Sequence, residues 1–124
     1  MSVGVDIEDS GRFDPVYVEQ IFSPRERLLY LPGAEPPELR RVGALVFSAK
    51  EAVYKALSAL GEVRIRFADC TIAMDSEAGA FAAHLPSGSG VPGGDGPITG
   101  RFAWSAGLVG TAVIFQTGGR AARG

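Results

Sequence analysis

Asp6, Glu8, Lys50, Glu51 and Lys55 are the side chains whose types and spacing point to chemistry in this 124-residue chain. The first two sit in Val3-Gly4-Val5-Asp6-Ile7-Glu8, at a spacing of two, which puts both carboxylates on the same side of an extended segment. The others sit in Phe47-Ser48-Ala49-Lys50-Glu51-Ala52-Val53-Tyr54-Lys55, where the chain's only two lysines flank one glutamate while every other basic residue is arginine. That usage points to positions that need a compact ammonium rather than a planar guanidinium. If the two segments pack together, three carboxylates meet. Two ionised carboxylates about 4 Å apart repel by about 4 kcal/mol at an effective dielectric near 20, whereas a helical Glu–Lys pair returns only about 0.2–0.5 kcal/mol. One lysine cannot offset that repulsion, but a hard divalent cation can. Three oxygen donors with positions left open describe a magnesium site acting on a diphosphate, with Lys50 and Lys55 on phosphate oxygens or on the leaving group.

The elements that must position these groups are legible from pattern. Val3, Val5 and Ile7 alternate with Gly4, Asp6 and Glu8, predicting a strand with one apolar and one polar face. Asp14-Pro15 opens a short helix to about Phe22, and Ser23-Pro24-Arg25-Glu26 reads as a capping box opening a second one. Pro36-Pro37-Glu38 starts the main helix, predicted to run to about Leu60 and stop at Gly61. Along it Leu39, Val42, Leu45, Val46, Ala49, Val53, Ala56, Leu57 and Leu60 form an apolar face. Phe47, Glu51 and Lys55 form a separate stripe. Strand alternation follows at about Cys70–Met74, Ala80–His84, Ile98–Ser105 and Leu108–Phe115. The fold class is therefore α+β, a long helix on a small antiparallel sheet. One domain is expected over residues 1–117, with a Gly/Pro/Ser-rich loop at 86–97 and a frayed tail at 118–124.

Composition narrows the function. A net charge of −2 does not suit a general nucleic-acid binder. No apolar run approaches the length of a membrane span, and no basic leader precedes an apolar one, so a cytoplasmic protein is expected. The single cysteine, Cys70, excludes an internal disulfide and reads as core filling. A strand bearing Asp and Glu on one face is, taken alone, an ordinary solvated edge, and Glu51 with Lys55 an ordinary surface pair.

Taken together, Gly4-Val5-Asp6-Ile7-Glu8 and, 45 residues after Asp6, Glu51 within Phe47-Ser48-Ala49-Lys50-Glu51-Ala52-Val53-Tyr54-Lys55 resemble the two-part signature of the 4′-phosphopantetheinyl transferase superfamily. The resemblance implies transfer of the phosphopantetheine arm of coenzyme A to a serine of an apo acyl or peptidyl carrier protein. It implies Asp6, Glu8 and Glu51 on Mg2+, Glu51 and Lys55 as catalytic groups, and Lys50 and Lys55 on coenzyme A phosphates. Asp6-Ile7-Glu8 and Phe47-Ser48-Ala49-Lys50-Glu51 are most similar to the C-terminal half of the two-lobed members that activate siderophore and peptide synthetases. The resemblance therefore covers one lobe, approximately Ser2 to Phe115. The His-containing motif of short members is missing too, since Phe102-Ala103-Trp104-Ser105-Ala106-Gly107 occupies its place.

Because the family site lies between two lobes, the resemblance implies a homodimer or homotrimer. Arg12, Arg40, Arg41 or Arg101 are candidates for phosphate contacts across that interface, and Arg25, Arg27, Arg40 and Arg41 for a basic patch facing an acidic carrier protein. Two other classes stay open: a lobe that binds coenzyme A and magnesium but is catalytic only with a second lobe or partner chain, and a magnesium-dependent phosphohydrolase. His84 reads as a strand-end histidine, and Trp104 as core or interface.

Overall fold

The computed structural model describes residues 1–61, 65–89, 91 and 96–115. Strand β1 (Ser2–Asp9) leads into two 3-10 turns, Ser10–Arg12 and Pro15–Tyr17, capped by the carboxylates of Asp9 and Asp14. Helices α1 (Val18–Ile21) and α2 (Pro24–Tyr30) follow, then the long helix α3 (Pro36–Ser58). A 3-10 turn at Phe67–Asp69 introduces β2 (Thr71–Asp75), β3 (Ala80–His84), β4 (Ile98–Ser105) and β5 (Leu108–Phe115). These bounds match the periodicity reading to within two residues, and the ring of Pro36 starts α3 without a side-chain cap at Glu35. The predicted 86–97 loop falls partly, and the tail at 118–124 wholly, outside the described residues. Among the described residues no helix is long and apolar enough to cross a membrane.

All strand pairs are antiparallel, in the order β1-β5-β4-β3-β2. Four strands form a meander, and β1 closes the sheet beside β5 with Asp6 opposite Thr111 and Glu8 opposite Val109. The tight β4–β5 hairpin turns through Ala106 and Gly107, both at positive φ (50° and 83°). Helix α3 lies across β1 and β5, enclosing a core that includes Phe22, Val46, Leu57, Ile72, Val109 and Val113.

The face of β1 that meets α3 is the polar one. Ser2 and Gly4 are buried there and Asp6 and Glu8 half-buried, whereas Val3, Val5 and Ile7 point away from the helix into solvent. Backbone distance explains the choice. A Cβ on Gly4 would stand 1.8 Å from the Ala52 carbonyl oxygen and 2.8 Å from the Ala56 nitrogen, so strand and helix backbones touch where only hydrogen fits. Ala49, Ala52 and Ala56, all fully buried, keep the helix equally flat. The Ser2 hydroxyl donates to the Ala56 carbonyl, and Thr111 Oγ1 donates to the Ser48 carbonyl at 3.0 Å while lying 2.8 Å from Ser48 Oγ. Each such buried bond contributes about 0.5–1.5 kcal/mol net, and together they fix the helix's rotation and height over the strand.

The far edge is closed differently. Tyr30 Oη donates to the Ile72 carbonyl at 2.8 Å and accepts from Met74 N at 3.1 Å, while Glu26 Oε2 accepts from Ile72 N at 2.6 Å. Side chains of α2 thus occupy the edge of β2 that a neighbouring strand would otherwise take.

Gly4→Ala should destabilise the chain by about 3 kcal/mol or more, because the added methyl meets backbone rather than a yielding side chain. Thermal melts followed by circular dichroism should show the midpoint falling by about 10 °C or more. A fall of only a degree or two would mean that the strand and helix do not touch here.

Candidate functional site

The close approach at Gly4 carries Asp6 and Glu8 to the flank of α3, where Glu51 and Lys55 lie one turn apart. Lys55 Nζ donates to Asp6 Oδ1 at 3.0 Å and to the Val5 carbonyl at 3.1 Å. The Asp6 side chain is 9% exposed and that of Lys55 50% exposed, so the ammonium covers the carboxylate from the solvent side. The hydrogen bond to Asp6 raises the Lys55 pKa, with further support from the charges of Asp6, Glu51 and Glu8. One ammonium therefore lies within electrostatic reach of all three carboxylates.

The acids are not satisfied by it. Asp6 Oδ2 is buried and has no hydrogen-bond partner among the described residues. Glu8 is pushed up to about 7, first by burial, then by the hydrogen bond its protonated form makes to Asp6, then by repulsion from Asp6 and Glu51; Lys55 opposes the shift. The two facts fit one another, since an ionised Glu8 offers no donor to the orphaned oxygen. A proton held on Glu8 relieves the cluster, and so would a cation. Among the described residues no three Asp, Glu, His or Cys side chains stand at metal-ligand spacing, so the set is gathered rather than closed. Its donors are all hard oxygens, one of them buried and unpartnered, which fits a hard divalent ion of the magnesium type better than a zinc or copper site.

Beside Glu8 opens a cavity of about 450 Å³, walled by Phe13, Ile21, Phe47 and Phe67, with Arg12 and Asp14 also among its lining residues. The Phe67 ring packs 5.9 Å from Phe47 and 6.4 Å from Tyr54, centroid to centroid. A larger concavity, about 690 Å³, lies elsewhere and includes Ala73, Phe81, Ala82, Arg101 and Ala112. None of the acids reaches it, so size is a poorer guide here than chemistry.

Lys50 requires a correction. The sequence predicts a phosphate contact, but Lys50 is only 2% exposed and its ammonium donates to Glu26 Oε1 at 2.6 Å, the Ile21 carbonyl at 2.6 Å and the Phe67 carbonyl at 2.7 Å. All three protons are taken, and no face is left for an anion. Burial lowers its pKa, and the Glu26 carboxylate opposes that shift. The missed partner is Glu26, which the sequence shows only as a capping-box residue.

The remaining candidates fall in varied places. Arg12 lies 3.9 Å from Asp9, and Arg41 stacks 4.0 Å over the Trp104 ring. Arg101 donates to the Ala78 carbonyl, Arg27 to the Glu19 carbonyl, and Arg25 and Arg40 are exposed. His84 is exposed at the end of β3. Cys70 is buried and its thiol is pushed up to about 12, chiefly by burial, which leaves it an inert filler.

The family model described as 4′-phosphopantetheinyl transferase superfamily matches residues 2–91. The 4′-phosphopantetheinyl transferase Svp of Streptomyces mobaraensis is 37% identical over 117 residues, which take in 90% of this chain but 46% of that protein. The chain thus spans about half the length of that relative. Among solved structures, the holo-ACP-synthase of Plasmodium yoelii superposes with a TM-score of 0.70 at 18% identity, covering 90% of this chain and 91% of that one. The Helicobacter pylori holo-[acyl-carrier-protein] synthase in complex with coenzyme A gives 0.64 at 21% identity, over 92% and 99%. That of Bacillus anthracis in complex with CoA (3′,5′-ADP) gives 0.62 at 21%, over 90% and 92%. These structures share the α+β fold.

The raised Glu8 pKa gives a pH prediction. Between the ordinary value of 4.5 and about 7 the folded chain holds a proton that the unfolded chain releases, so this group's stabilisation is lost as pH rises through that window. With chelator present, urea unfolding at pH 5 and pH 8 should show the wild type losing about 1–2 kcal/mol more than Glu8→Gln, a figure discounted for the exposure of the site. Equal losses in both proteins would show that Glu8 does not sit in a carboxylate cluster.

Proposed function

We propose a function that proceeds from one premise: this chain belongs to the 4′-phosphopantetheinyl transferase superfamily. It transfers the 4′-phosphopantetheine arm of coenzyme A to a serine hydroxyl of an apo acyl or peptidyl carrier protein, in the cytoplasm. The observation that carries the reading is the gathering of Asp6 and Glu8 from β1 against Glu51 and Lys55 from α3, with Asp6 Oδ2 left unpartnered.

Asp6, Glu8 and Glu51 would hold Mg2+, which when bound neutralises the coenzyme A diphosphate and orients it. The chain's own groups supply the rest. In the transfer the serine oxygen forms a bond to the phosphorus bearing the pantetheine arm, and the bridging P–O bond breaks to release adenosine 3′,5′-bisphosphate. Glu51, half-buried and facing the cluster, accepts the serine proton. Lys55 has two of its three protons on Val5 and Asp6, and the third can meet a phosphate oxygen and the charge that develops on the leaving group. The raised Lys55 pKa keeps that ammonium charged while it does so. The cavity beside Glu8, with the rings of Phe13, Phe47 and Phe67 in its wall, offers an apolar surface next to the reacting centre.

A second reading is favoured by the length comparison: the lobe binds coenzyme A and Mg2+ but is catalytic only when paired. Val3, Val5, Ile7, Leu108 and Ile114 are each 44–71% exposed on the outer face of β1 and β5, with Val3 opposite Ile114 in the register. An apolar patch of this kind suits a second copy, in a homodimer or homotrimer, or another lobe.

Incubation with coenzyme A, Mg2+ and several apo carrier proteins, read by intact-protein mass spectrometry, should show the added arm. Glu51→Gln should lower the rate by about 10²-fold or more, and Lys55→Ala by a similar factor. Coenzyme A binding without transfer would select the paired-lobe reading, and phosphate release with unmodified carrier would select a hydrolase. By light scattering, Ile7→Lys with Ile114→Lys should convert an oligomer to monomer; a wild type that is an active monomer would refute the requirement for pairing.

A further inference from the structure

The buried Lys50–Glu26 pair joins segments that are far apart in sequence. Glu26, fully buried, accepts from Ser23 N and Lys50 through Oε1 and from Ile72 N through Oε2. Lys50 adds the carbonyls of Ile21 and Phe67. The ends of α1 and α2, the middle of α3, the 67–69 turn and the start of β2 therefore meet at one ammonium and one carboxylate.

Stability alone gives no reason for charges here, because replacing a buried ion pair with apolar groups of similar volume is often neutral or stabilising. Direction is what the pair supplies. An ammonium at the end of a four-carbon stem points three donors at once, and two of its three acceptors belong to residues whose side chains wall the cavity beside Glu8, Ile21 and Phe67. With its carbonyl held at 2.7 Å, Phe67 is set so that its ring braces Phe47 and Tyr54, the residues four before and three after Glu51 on α3. The stripe carrying Glu51 thus runs in a trough, with β1 and its carboxylates on one side and Phe67 on the other.

We infer that Lys50, paired with Glu26, is a positioning residue for the transfer site, acting through Phe67 to hold the wall of the cavity and the Phe47–Glu51–Tyr54 face in register with Asp6 and Glu8. The kinetic arm of its test rests on the transferase reading, whereas the structural arm does not. Lys50→Met combined with Glu26→Gln removes both charges and leaves neither buried alone. In that variant the aromatic cross-peaks joining Phe67 to Phe47 and Tyr54 should disappear from NMR spectra, while those between β1 and α3 around Gly4 and Ala52 persist. In transfer assays held well below the melting temperature, that variant and Phe67→Ala should each lose about 10-fold in kcat/KM. Their combination should lose about 10-fold again in total, rather than the roughly 100-fold of independent effects.

A purely structural pair would lower the melting temperature without this kinetic coupling. Multiplying losses, or ring contacts unchanged in the folded variant, would overturn the inference. Should the double replacement not fold, Lys50→Met combined with Glu26→Met, which fills the space with apolar side chains, undergoes the same two measurements with the same criteria. A wild type that transfers no arm would refute the transferase reading, and the ring contacts would still decide the positioning role.

Discussion

A strand and a helix whose backbones come into direct contact set the geometry on which the rest of this molecule depends. At Gly4 there is no room for a side chain, and Ala52 and Ala56 present only backbone and methyl groups in return. That approach brings the following residues of β1, Asp6 and Glu8, within reach of side chains that leave α3 near its middle. A wider spacing, of the kind enforced by leucine or valine at position 4, would place the carboxylates of the strand and the helix in separate solvent shells. The approach also sets the electrostatic problem: acids gathered this closely must share a proton, a lysine or an added cation.

The two lysines resolve different parts of that problem, although they are five residues apart in one helix. Lys55 stands at the solvent side of the cluster with a proton to spare, and its charge offsets part of the repulsion among Asp6, Glu8 and Glu51. Lys50 points into the core, where all its donors are engaged and its charge is matched by Glu26. A helix turns 100° per residue, so a separation of five carries the second lysine about 140° around the axis. Similar residue types therefore serve opposite faces: one stands at the solvent side of the acid cluster and the other ties the scaffold behind it.

This difference marks the limit of what the sequence makes legible. Strand alternation in residues 3–8, the Ser23–Glu26 capping box, prolines and the helical apolar stripe are local patterns, and they locate the strands and the long helix among the described residues to within two residues. The placement of Asp6 and Glu8 with Glu51 and Lys55 also follows locally, once β1 is packed on α3. The orientation of Lys50 does not. Its partner Glu26 is 24 residues away and carries a complete local explanation as a capping residue. Nothing in the periodicity states that the same carboxylate continues to Ile72 and Lys50. Phe13 and Phe67 as cavity walls were hidden for the same reason, being set by tertiary packing of short turns. The reversed sense of β1, polar side inward, is legible only through Gly4, because apolar alternation by itself favours Val3, Val5 and Ile7 as the core face.

The same reversal bears on how the sheet ends. Its β2 edge is covered by Glu26 and Tyr30, whose side chains occupy the backbone groups of Ile72 and Met74. At the β1 edge, among the described residues, Lys55 donates to the Val5 carbonyl, and the adjoining outer face carries exposed Val3, Val5, Ile7 and Ile114. Burying one such side chain contributes about 1.5–3 kcal/mol, so four of them left in water represent a substantial unused driving force for association. A fold that seals one edge with specific hydrogen bonds while leaving apolar side chains beside the other directs any association toward β1. The same strand bears Asp6 and Glu8 on its other face, so a body docking on the patch would have to reach round the β1 edge to lie next to the acid cluster.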